Sequence, residues 1–207
     1  MFSIPGIDFK NFLQSHSHFA FGGWITLCIL SLMTYEVLPA QMNSKPVYKW
    51  LLTGILLCAV GMLLSFPFEG YAFLSILFST LFIFVTYAFT WVFIKYLAKT
   101  EIGPSVKLLS ICSLLSLSLS SVGPFTLAYI LASHSVNTML YRDAIYTYLH
   151  MQYNGFFTLG VFALLFNLTK EYANNSLRKN AKRFAATLCI SVLPTLCLSY
   201  LWHFENA

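Results

Sequence analysis

Residues 70–97 read GYAFLSILFSTLFIFVTYAFTWVFIKYL, with no charged residue before Lys95. A helix needs about 20 apolar residues to cross a hydrocarbon core, so this stretch is long enough to span one with room to tilt. It lacks the two-residue alternation of a barrel strand. Five similar runs surround it: roughly 17–38, ending before Pro39; roughly 47–66, closed by Pro67; roughly 106–133, interrupted by Gly123–Pro124; roughly 141–168; and roughly 184–202, with Pro194 inside. A proline within a helix removes a hydrogen bond and crowds the preceding turn, which predicts a kink at Gly123–Pro124. The expected fold is all-α, a polytopic transmembrane bundle of six spans forming one domain over residues 1–207.

Composition supports that reading. Hydrophobic residues make up 58% of the 207 and charged residues 9%, against about 25% charged in a soluble domain. That excludes a soluble enzyme domain, a nucleic-acid binder, a disordered chain and a secreted disulfide scaffold. Lipid is the expected partner, and nucleic acid is not one. All five cysteines fall inside the apolar runs with no CxxC spacing, so they read as small hydrophobes. Residues 1–15 show neither a basic n-region nor a cleavage site, so the first span is expected to be retained.

The charges set an orientation. Lys45 and Lys49 adjoin the first loop, Lys95, Lys99 and Lys107 flank the third, and Lys170, Arg178, Lys179, Lys182 and Arg183 fill the fifth. Only Lys10 and Arg142 fall on the other side. The positive-inside rule then predicts loops one, three and five in the cytoplasm and both termini outside, which for a bacterial inner membrane means the periplasm.

In that frame all five histidines, His16, His18, His134, His150 and His203, belong to the outer half of the membrane. His150 is the deepest, within Tyr148-Leu-His150-Met-Gln152-Tyr153-Asn154-Gly155. Polar residues at such depth are costly and mark functional sites by default. His150 and Asn154 share a helix face. The competing structural reading is that His150 only ties its helix to a neighbour. The other histidine segment is His16-Ser17-His18-Phe-Ala-Phe-Gly22-Gly23-Trp24. His16 and His18 are separated by about 200° of helix rotation and face opposite ways. Gly22, one turn from His18, leaves room for a flat macrocycle or a close helix. Two histidine-bearing helices of like direction suit a b-type haem with an imidazole on each side. Gln152, Tyr153, Asn154 or Ser17 would orient those rings. Arg142 and Asp143 read as an anchor that sets the depth of the fifth helix. His134 and His203 read as helix-end residues satisfied by water.

The segment His16-Ser-His18-Phe-Ala-Phe-Gly-Gly-Trp24 resembles the glycine-rich histidine helices of subunit I of the haem-copper oxidases and nitric oxide reductases. The segment 148–155 is similar in style to another histidine helix of that superfamily. The resemblance covers about 25 residues. It implies haem b near the outer face, with His18 and His150 as axial ligands and His16 as a ligand to a second haem or metal. It also implies partners among respiratory-complex subunits or a second copy of the chain. The departures are large: about six spans against about twelve, no His-His pair for a copper site, and no counterpart of the tyrosine linked to a copper ligand. The expectation is therefore a reduced, oxidase-like protein serving electron transfer, gas sensing or assembly, not a complete terminal oxidase; copper and zinc stay open as metals.

Two other classes compete. An intramembrane metal hydrolase would draw its ligands from His16, His18, His150, His203, Glu69 and Asp143, although no HExxH spacing occurs. A transporter or metal permease would use the break at Gly123–Pro124 to line a cavity, although no clear repeat relates the two halves.

Overall fold

The computed structural model describes residues 8–169 and 174–203. All regular structure among them is helical. The elements are α1 Phe9–Val37, the short α2 Ala40–Asn43, α3 Pro46–Glu69, α4 Phe73–Leu97, α5 Pro104–Ser120, α6 Val122–Ala132, α7 over 138–169 and α8 Asn175–Leu198. Five stretches are long and apolar enough to cross a membrane: Phe9–Val37, Pro46–Glu69, Phe73–Leu97, Pro104–Ala132 and Asn175–His203. The sixth expected span, α7, is as long, but it carries His150, Gln152 and Asn154 at its middle and is not one of the five. Trp24, Trp50, Phe68 and Trp91 all point outward, a surface compatible with lipid.

Several boundaries differ from expectation for physical reasons. α1 begins at Phe9 rather than near residue 17, because the Asp8 carboxylate accepts the Lys10 amide at 2.8 Å and caps it. It stops at Val37 because Leu38, preceding Pro39, is extended. Pro67 does not close α3, which continues to Glu69. The carbonyl that Pro67 leaves without its helical donor is that of Leu63, and the Ser15 hydroxyl donates to it at 2.9 Å. The fifth loop is shorter than expected. Arg178, Lys179, Lys182 and Arg183 sit exposed on the first turns of α8, and Lys170 lies outside the described residues.

The chain divides into two compact units, Met1–Thr100 and Glu101–Ala207. In the first, α1 and α4 pack on α3 around Ala59, Met62 and Phe66, with Phe19, Phe78 and Phe82 against them. The α3–α4 corner turns at Gly70, whose φ of 61° and contact with Asn11 exclude a side chain. The Glu69 carboxylate then accepts the Ser75 amide at 2.9 Å, capping α4.

In the second unit α5 packs on α7 and α8. Its buried face carries Ser110, Ser113, Ser116 and Ser120, small residues that let helices approach closely. The expected interruption is present: the helix breaks at Ser121, three residues before Pro124, and restarts as α6. Gly123 lies against α7 so closely that a Cβ there would sit 2.5 Å from the Ala144 carbonyl oxygen. The core joins Leu109, Met151, Leu159, Ala163, Ala185 and Val192.

Candidate functional site

Each unit holds one of the two histidine segments, and their local structures match. His18-Phe-Ala-Phe-Gly-Gly23-Trp-Ile-Thr26-Leu27 and His150-Met-Gln-Tyr-Asn-Gly155-Phe-Phe-Thr158-Leu159 align without gaps. Both place an aromatic three residues after the histidine, glycine at five, an aromatic at six, threonine at eight and leucine at nine. These ten residues form a local repeat that the reading of the two halves did not anticipate. Directly after each histidine the helix widens from α to π, over Phe19–Thr26 and Met151–Phe157. π-turns are rare and cluster at functional sites.

The shared glycine sits where another helix or ring comes closest. A Cβ on Gly155 would collide with Ser116 of α5; one on Gly23 would fall 2.7 Å from the Phe19 ring and 3.0 Å from Ala59 Cβ. At the second turn the Phe156 carbonyl accepts the Ser113 hydroxyl at 2.8 Å. The Thr158 hydroxyl donates five residues back to the Tyr153 carbonyl, also at 2.8 Å.

The two imidazoles are held differently. His150 is 7% exposed. Its Nε2 lies 2.9 Å from the Val192 carbonyl of α8, which can only accept, so Nε2 carries the proton and Nδ1 accepts from the Asn154 amide at 3.0 Å. The Thr195 hydroxyl lies 3.4 Å from Nε2. Asn154, Val192 and Thr195 also line a cavity of about 230 Å³ together with Thr158, Leu188 and Ser191. His18 stacks face to face on Phe66, with ring centroids 4.5 Å apart and planes 5° apart. Its Nε2 lies 3.3 Å from the Tyr71 hydroxyl.

The other expected residues distribute as follows. His16 is exposed. The space beside Gly22 is filled by Phe82, 3.2 Å from a Cβ position, and by Met62, so a close helix occupies the notch. Gln152 donates to the Ser120 hydroxyl at 3.0 Å while its buried carbonyl oxygen has no hydrogen-bond partner. Tyr153 is exposed and meets Phe157 edge-on. His134 is exposed with φ 51°. His203 is not left to water: it pairs with Asp143 at 3.0 Å and stacks on Trp202, which Arg142 covers at 4.4 Å. Among the described residues, no three His, Cys, Asp or Glu side chains gather as a metal-holding group. Phe66 and Tyr71 beside His18, Val192 and Thr195 beside His150, and Ser120 beside Gln152 carry no local sequence signal, because each comes from a distant part of the chain. The π-turn had one, the alignment of the two segments on their histidines.

Fold and site together define a helical integral membrane protein in which a π-turn directly follows a histidine in each unit. Comparison with known proteins finds no matching family model, no matching curated protein and no matching solved structure.

Proposed function

We propose that this is a haem-binding membrane protein in which His18 and His150 are ligands to b-type haem. The observation that carries the reading is the repeated coincidence of histidine, π-turn and glycine. Of the three places where the described helices widen to a π-turn, two directly follow a histidine inside a long helix and carry the glycine five residues after it, and the third, Met33–Val37, follows none.

The residues around His150 fit a ligand role. A ligating imidazole is oriented by a hydrogen bond at its other nitrogen, and Asn154 already engages Nδ1. Ligation through Nε2 requires the ring to leave the Val192 carbonyl and Asn154 to present its amide oxygen to Nδ1–H. The lost hydrogen bond is worth about 1 kcal/mol, and the cavity bounded by Asn154, Val192 and Thr195 lies beside that movement. Bound haem would supply one-electron chemistry; the chain supplies the ligands, their orientation and an apolar surrounding.

The test is the reduced-minus-oxidised spectrum of protein expressed with ample haem. A low-spin haem spectrum is expected, abolished by His150→Ala and by His18→Ala and unchanged by His134→Ala and His203→Ala. A colourless wild-type protein sinks the reading, and a spectrum that survives His150→Ala discards this site.

The reading includes six spans with both termini outside, supported by ten of the twelve basic residues falling on one side. A fluorescent protein fused after Ala207 should be dark on export through the Sec route and alkaline phosphatase fused there active; the opposite pair of results reverses the orientation.

A further inference from the structure

We propose that the first turns of α8 form a lipid-headgroup site, on which Arg178, Lys179, Lys182 and Arg183 hold the phosphates of anionic phospholipids. The four cations are exposed and follow one another within two turns of one helix. At about 100° per residue they fall within an arc of about 140°. Leu177, Ala181, Phe184 and Leu188 take the opposite face. Packing fixes that face inward: the Phe184 ring lies against Phe162 and Phe166 of α7, with centroids 5.1 and 5.9 Å apart. Ala185 and Leu188 join the buried cluster one turn on. The basic face is thereby held outward. Nothing on α8 neutralises it. No acidic residue occurs from Asn174 to His203, and among the described residues none of the four cations has an ion-pair partner. Like charges one turn apart repel, and the positive end of the helix dipole adds to that repulsion. An anion supplied from outside relieves both.

Position selects the anion. After Arg183 the chain carries no charge as far as Trp202. At the helical rise that run is about 28 Å long, which matches a hydrocarbon core of roughly 30 Å. The four cations therefore stand where the core gives way to headgroups, the level at which a polybasic face attracts anionic lipid. Residues one turn apart on a helix have Cβ atoms about 5–6 Å from each other. Arg178 with Lys182, and Lys179 with Arg183, are such pairs, and each is placed to bracket one phosphate. The guanidinium of each pair adds a two-pronged grip on phosphate oxygens. The inference rests on α8 crossing the membrane. It is independent of haem binding and of which side of the membrane α8 starts from.

The experiment reconstitutes the full chain in phosphatidylcholine bilayers carrying a trace of nitroxide-labelled lipid, either phosphatidylglycerol or phosphatidylcholine. Electron spin resonance then gives the fraction of each label slowed by the protein. Phosphatidylglycerol should be preferred roughly threefold at low salt, and the preference should fade in 1 M salt, where the screening length is about 3 Å. Two variants neutralise one pair each, Arg178→Gln with Lys182→Gln and Lys179→Gln with Arg183→Gln, and leave the other pair to direct insertion. Each should lose about half of the excess. Lys95→Gln with Lys99→Gln removes as many exposed cations, also one turn apart, at the C-terminal end of α4, and should lose clearly less. Full preference in both α8 variants, or an equal loss in the α4 variant, overturns the site. Equal slowing of the two lipids by the wild type overturns the lipid and leaves an acidic protein surface as the partner. Millimolar inorganic phosphate should displace no more label than chloride at the same ionic strength; greater displacement makes free phosphate the ligand and overturns the lipid source.

Discussion

The two histidine segments widen the helix in the same way and hold their imidazoles in different ways. In the first unit the ring of His18 lies flat on Phe66 and reaches Tyr71 at 3.3 Å. In the second, His150 makes two shorter bonds, to Val192 and Asn154. The residue one turn after each histidine accounts for much of the difference. Gly22 offers no side chain, so Phe82 and Met62 close in and the surroundings become aromatic. Asn154 offers an amide that grips the ring, and Gln152, where the first segment has Ala20, reaches Ser120. The π-turn is thus separable from the chemistry around the ring: the backbone feature repeats, and two side chains set the polarity.

The comparison breaks most easily at the shared glycines. A Cβ on Gly155 meets Ser116, fixed on a packed helix, whereas the nearest atoms to one on Gly23 belong to the swinging ring of Phe19. Gly155→Ala should cost about 1–3 kcal/mol, the range of core overpacking, and clearly more than Gly23→Ala in thermal melts in detergent. Ser116→Gly should restore stability to Gly155→Ala and do nothing for Gly23→Ala, a coupling that a double-mutant cycle reads directly. Equal costs at the two glycines mean that the second turn is not the tighter one.

The histidines come next. His150→Ala leaves Asn154 without its ring partner and removes a tie between α7 and α8, for an expected loss of about 1–3 kcal/mol. His18→Ala removes a stacked pair and one long hydrogen bond, for about 0.5–1.5 kcal/mol. If His18→Ala costs more, aromatic stacking rather than hydrogen bonding dominates both segments. Within the first unit, Ser15→Ala tests how a proline is accommodated. It strips the donor from the Leu63 carbonyl and should cost about 1 kcal/mol. Pro67→Ala in the same background should recover most of that, since the helix then supplies its own amide.

The all-helical fold was legible because helical apolar runs are long and the breaks at Pro39 and Gly123–Pro124 act locally. Span ends were less legible. Pro67 was read as a stop because the sequence does not show Ser15 waiting on another helix to take the freed carbonyl. The basic run 178–183 was read as loop because charge marks the membrane boundary, not the helix boundary. Within the site, His150 stood out through the cost of its depth, and its pairing with Asn154 followed from their spacing. Phe66, Tyr71, Val192 and Thr195 could not be read, since a partner from a distant part of the chain leaves no trace beside the residue it serves. The free space expected beside Gly22 was misjudged for the same reason: Phe82 fills it from sixty residues away.

The smallest expected effect lies at the end of the second unit, where Asp143 holds His203. Both side chains are partly exposed, at 25% and 34%, so solvent weakens the charge attraction. Asp143→Asn keeps an oxygen that can still accept from Nε2, and Arg142 keeps its place over Trp202. The loss should stay below about 1 kcal/mol, well under that of His150→Ala, with an unaltered spectrum. That outcome assigns the Arg142–Asp143 pair to anchoring and the histidine segment to chemistry. If Asp143→Asn instead removes a bound metal while fold and expression persist, the carboxylate is a ligand, and the metal-hydrolase class displaces haem binding as the reading of this unit.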